Sequence, residues 1–122
     1  MTNSSDAVTN PYPKLFTASH WRQLLRNHDR DSTNRRPVVK LFTPDAQATW
    51  LLFSVSPAEP DLAFGLCDLG MGFPELGYVS LQELAQLRGA LGLPVERDRH
   101  CSLKEKLGAY TDRAAILGRI EV

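Results

Sequence analysis

Between residues 38 and 79 the sequence alternates short β-prone runs with links of only a few residues. Two parallel strands need a crossover of a dozen residues or more, so runs this closely spaced pair antiparallel and in order, as a meander. Residues 38–42 form the first run, and Thr43-Pro44-Asp45-Ala46 sets Pro and Asp where a type I turn uses them. Residues 49–55 return. Along that second run Thr49, Leu51, Phe53 and Val55 share one face and Trp50, Leu52 and Ser54 the other, which predicts a central strand covered on both sides. A third strand is read over residues 62–69, with Gly65 at a bulge or a close approach of backbone. The loop Gly70-Met71-Gly72-Phe73-Pro74 leads to a fourth over residues 76–79, and residues 95–101 alternate well enough for a fifth strand or an extended segment.

Helical spacing flanks this β-rich middle. Trp21, Leu24, Leu25 and His28 fall at i, i+3, i+4 and i+7, predicting a helix to about Asn27 with Thr17 or Ser19 as N-cap. Ser80-Leu81-Gln82-Glu83 has the form of a capping box, followed by a stripe of Leu81, Leu84, Leu87 and Leu91 that Gly89, Gly92 and Pro94 bring to an end. Ser102-Leu103-Lys104-Glu105 repeats the box before Leu107, Tyr110, Ala114 and Leu117, and Gly118 can terminate that helix. The expected fold is α+β: a four- to five-stranded, mainly antiparallel meander with the two capped helices packed on one face. The first helix would close an edge or join that face. With 122 residues, 43% of them hydrophobic, one domain over residues 14–122 is expected, behind a flexible tail of residues 1–13.

Composition narrows the function. The 14 Lys plus Arg balance 14 Asp plus Glu, which removes the strongest reason to expect nucleic acid or an anionic membrane as partner and leaves a homodimer open. No run approaches the ~18 apolar residues of a membrane span. The opening residues lack a basic start and an apolar stretch, so a cytoplasmic protein is expected. Cys67 and Cys101 form no CxxC pattern and are read as free thiols, and no metal or cofactor is expected.

The segments PVVKLFTPDAQATWLL (residues 37–52), AFGLCDLGMGFPELGYVSL (63–81) and LGLPVERD (91–98) resemble a bacterial family, the domain of unknown function 2958. Members of that family look like accessory genes of plasmids and integrative conjugative elements. The resemblance, which spans residues 37–98, therefore implies a mobile-element setting.

Charge is spread unevenly. Residues 41–87 hold six acidic side chains and no basic one, while seven basic residues lie on either side. An acidic run of this kind is ordinarily a solvated face. Its functional reading is a non-catalytic module that docks on a protein through Asp61, Asp68 and Glu75, with Met71 and Phe73 as a loop tip that either packs inward or protrudes to meet the partner. Anti-defence inhibition is one version: the carboxylates would occupy a basic nucleic-acid site on a host assembly such as a CRISPR complex. An enzyme is the first alternative, a metal-dependent hydrolase or nuclease using Asp68, Glu75, Glu96, Asp98 and His100, although no spacing among them is diagnostic. The second is nucleic-acid binding by Arg22, Arg26 and Arg30 at i, i+4 and i+8, continued by Arg35 and Arg36. No aromatic residue is interleaved with that row, so the protein partner is preferred.

Overall fold

The structure, a computed structural model, describes residues 9–122. Helix α1 (Ala18–Arg26) precedes four strands, β1 (Val39–Phe42), β2 (Thr49–Val55), β3 (Leu62–Asp68) and β4 (Glu75–Ser80). Helix α2 (Leu81–Gln86), the two-residue β5 (Glu96–Arg97) and α3 (Leu107–Leu117) follow. The five strands form one sheet in the order β4-β3-β2-β1-β5, and every neighbouring pair is antiparallel. The meander and the α+β class expected from the spacing are what the chain adopts.

The helices, however, are not gathered on one face. Trp50 and Leu52 of β2, with Val39 and Leu41, pack under Trp21 and Leu24 of α1 and Leu81 and Leu84 of α2. Leu51 and Phe53, with Leu66, pack instead under Leu107, Tyr110 and Ala114 of α3. Successive strand residues point to opposite sides, so a central strand with two apolar rows needs cover on both, and α3 supplies the second layer.

The alternation in β2 is broken once. Leu52 faces Gly65 and Ser54 faces Phe64, which leaves Phe53 as the extra residue of a β-bulge. Val55 therefore joins Ala63 in the first core rather than Leu51 and Phe53 in the second. Gly65 has no freedom to be another residue here, because a Cβ would collide with the Leu51 carbonyl oxygen. Asn27, buried at the C-cap of α1, donates from its side chain to the Phe53 carbonyl at 2.8 Å and so partners the backbone of the bulged residue.

Thr17 caps α1, accepting the His20 N–H at 3.0 Å while His20 Nδ1 accepts the Thr17 N–H at 3.2 Å. Ser80 caps α2 as expected, accepting the Glu83 N–H at 3.2 Å. The stripe through Leu87 and Leu91 does not remain helical: Leu87 is extended and Leu91 is 79% exposed. Tertiary bonds take over there. Asp45 Oδ2, from the β1–β2 turn, accepts the N–H groups of Leu91 and Leu93 (2.7 and 3.3 Å), and Arg88 bridges Pro94.

The second capping box does not form either. α3 begins at Leu107 with no side-chain cap, because the N–H groups of Leu107 and Gly108 donate to the Arg35 and Thr33 carbonyls (2.8 and 3.1 Å). Gly118, at φ 74°, ends α3 as expected. Of the segment read as a tail, residues 1–8 lie outside the described residues, whereas Asn10 donates to the Phe16 carbonyl at 3.0 Å and the Tyr12 hydroxyl to Asp61 at 3.3 Å.

Candidate functional site

The three carboxylates singled out for docking have three different fates. Asp68, at the end of β3, is 3% exposed; its Oδ1 accepts the Gly70 N–H at 2.8 Å and its Oδ2 the Ile120 N–H at 3.0 Å. It ties the segment after α3 to the sheet and offers nothing to a partner. Asp61 accepts the Ser80 hydroxyl at 2.7 Å, the Gln82 N–H at 2.8 Å and the Tyr12 hydroxyl, so it braces the start of α2. The Ser80 bond, with those from Gln82 and Tyr12, holds its carboxyl below the usual carboxylate value. Glu75 alone stands exposed.

The carboxylate and histidine set does not converge. Glu75 lies on β4 and Glu96 on β5, at opposite edges of the sheet, four interstrand spacings or roughly 19 Å apart. Asp98 is paired with Lys40 at 3.2 Å and accepts the His100 N–H, which, with Lys40, keeps its carboxyl low. Among the described residues no three His, Cys, Asp or Glu side chains come together as a metal-ligand group. Cys67 is half-buried, and burial pushes its thiol up to about 11, away from the reactive thiolate.

The loop between β3 and β4 is a different matter. Phe73 is 80% and Met71 69% exposed, so the tip protrudes. Leu69 before it and Tyr78 on the adjoining edge strand are also largely exposed. The Gly72 carbonyl sits 3.3 Å from where a Cβ on Gly118 would lie, which brings the end of α3 beside the loop, and there Ile116 is 86% exposed. The apolar tip thus lies beside the C-terminal end of α3, the end that carries Ile116. That proximity could not be read from the sequence, because the stripe of α3 says which residues pack and not what neighbours the others.

The arginines divide. Arg22 and Arg26 lie exposed on α1, Arg30, Arg35 and Arg36 in the linker after it. The fold sets Arg35 and Arg36 beside Lys104 and Lys106, along a groove that also meets His20. Those last three residues escaped the linear reading, which followed one run of arginines and not the approach of residues 33–35 to α3. Burial, with the Arg97 guanidinium, pushes the His20 pKa below the usual histidine value.

No helix among the described residues is long and apolar enough to cross a membrane. No curated protein and no solved structure matches the chain. A family model described as protein of unknown function (DUF2958) matches residues 15–121, well beyond the segments that carried the resemblance, and includes α1, α3 and the whole sheet. The chain therefore belongs to the DUF2958 family.

Proposed function

We propose that the chain is a small, non-catalytic binding module that docks on a protein through the β3–β4 loop. The observation that carries this reading is the exposure of Phe73 and Met71 on a loop held against the end of α3. Large apolar side chains left in water at a loop tip are the kind of anchor that binding hot spots use. Ile116 is a further exposed apolar side chain at the end of α3 that the loop adjoins, and Glu75, next to the loop, adds a negative charge. The acidic surface itself contributes less than its composition suggests, since Asp61 and Asp68 are engaged within the fold. The setting we propose is a bacterial mobile element, on the strength of the family resemblance, with the target a host defence assembly that handles nucleic acid. Catalysis is not part of this reading because Glu75 and Glu96 lie at opposite sheet edges and no three of the candidate groups come together among the described residues.

The test is affinity purification from the native host, followed by mass spectrometry, with the wild-type protein and Phe73→Ser in parallel. Phe73 is largely solvated, so the substitution should change stability by no more than ~0.5 kcal/mol. A partner recovered with the wild type should be lost with the variant. Equal recovery of that partner by both would refute docking through the loop.

A further inference from the structure

Arg35 and Arg36 precede β1, and Lys104 and Lys106 precede α3, far apart along the chain. The two main-chain bonds from Leu107 and Gly108 to the carbonyls of Arg35 and Thr33 bring the segments together. Gly108 permits the approach, since a Cβ there would sit 2.8 Å from Thr33 Cγ2 and 2.9 Å from its carbonyl oxygen. Between α1, the linker and the segment leading into α3 this leaves an open groove of about 900 Å³. Arg35, Arg36, Lys104 and Lys106 line it, with His20 and Gln23 from α1, and among the described residues no carboxylate does.

None of these four cations takes part in an ion pair among the described residues. The acidic residues nearest in sequence are engaged elsewhere: Glu105, between the two lysines, pairs with Arg113 at 2.6 Å. Asp31 accepts the Thr33 N–H and the Asn34 side chain (2.9 and 2.7 Å). Arg22 and Arg26 of α1 are likewise exposed and, among the described residues, outside any ion pair. Like charges held together in this way raise a positive potential that attracts a polyanion.

The chemistry of the groove selects among polyanions. Two guanidinium groups lining one groove each offer a fork of donors that matches phosphate oxygens, and the lysines add point charges. Among the described residues no Phe, Tyr or Trp lines the groove, so bases would find no stacking platform there, and recognition falls to the backbone. We propose that this groove binds the phosphodiester backbone of nucleic acid without reading its sequence. This site is independent of the protein-docking loop. The groove adjoins the N-terminal end of α3 and the apolar tip its C-terminal end, separated by roughly 16 Å at 1.5 Å per residue. The two surfaces therefore lie at opposite ends of α3 and share no residue.

Fluorescence anisotropy with a labelled duplex of about 20 base pairs and with its single strand, titrated from about 50 to 200 mM salt, tests this directly. Four phosphate contacts predict a slope of log K against log salt of roughly −3 to −4 on the duplex and somewhat less on the single strand. The double variant Lys104→Glu/Lys106→Glu alters two exposed side chains that make no bond among the described residues, and should flatten the slope by about two. Binding to either nucleic acid with that behaviour supports the proposal, and the tighter arm identifies the form bound. Circular dichroism checks that the double variant is folded; if it is not, Arg36→Ala is measured in its place and should flatten the slope by about one. No binding at the lowest salt, a slope indifferent to the folded variant, or equally tight binding of polyglutamate would each overturn it, the last in favour of an acidic protein segment.

Discussion

Asp61 shows how a surface carboxylate can belong to the fold. It joins the Ser80 hydroxyl, the Gln82 N–H and the Tyr12 hydroxyl, and so links the segment before α1 to the start of α2. Because those bonds lower its pKa in the native state, the unfolded chain binds a proton there more readily than the folded one. Its contribution to stability is therefore complete above the ordinary carboxylate value of about 4 and is lost as pH falls through the lower folded value. Asp61→Asn should be less stable at neutral pH, and its melting temperature should fall less steeply than that of the wild type between about pH 5 and 2. Asp31 and Asp98, whose carboxyls are also held low, are present in both proteins and cancel from the comparison. Parallel melting curves would show that Asp61 has no part in acid unfolding. What the linear sequence conveyed about such residues was their charge. Whether their oxygens were free depended on distant donors, as with Asp68, whose partner Ile120 lies 52 residues further on.

At the scale of elements, the legible parts were those set by local periodicity and turn spacing. The bounds of β2, the Thr17 and Ser80 caps, the Gly118 stop and the antiparallel order all follow from neighbours a few residues apart. Reading failed where a tertiary bond replaced a local one. The box at Ser102 lost to the carbonyls of the linker, and the leucine stripe after Gln86 gave way to a turn fastened by Asp45. The bulge in β2 is intermediate: Gly65 hinted at it, but the transfer of Val55 to the other core needs the register itself. Two glycines of adjacent strands make a direct test of that geometry. Gly65→Ala forces a methyl against the Leu51 backbone and should cost about 3 kcal/mol or more in a urea melt, since no flexible side chain can yield. Gly77→Ala, on β4 and opposite Gly65, meets nothing within 4 Å and should stay within ~0.5 kcal/mol of the wild type. A mild effect at Gly65 would mean that the close approach at the bulge is wrong.

For the molecule as a whole, the two-sided sheet decides how stability is shared. One core lies under α1 and α2 and the other under α3, and β2 contributes alternate residues to both. Neither core can be lost alone without stripping one face of the central strand, so the two should unfold as one cooperative unit. The placement of the tryptophans makes this measurable. Both of them, Trp21 and Trp50, are buried in the first core, whereas Leu107 is fully buried in the second. Leu107→Ala removes side-chain packing under α3 and should cost about 3 kcal/mol, from lost apolar burial and the cavity left behind. If the cores are coupled through β2, tryptophan fluorescence must report that loss in full although the substitution touches neither indole. Its denaturation midpoint should shift together with that of far-ultraviolet circular dichroism, with one transition in each signal. A fluorescence midpoint that stays at the wild-type value while the dichroism midpoint falls would mean that α3 and its core melt separately. The basic groove would then be built on a detachable layer, because one of its walls is the segment leading into α3.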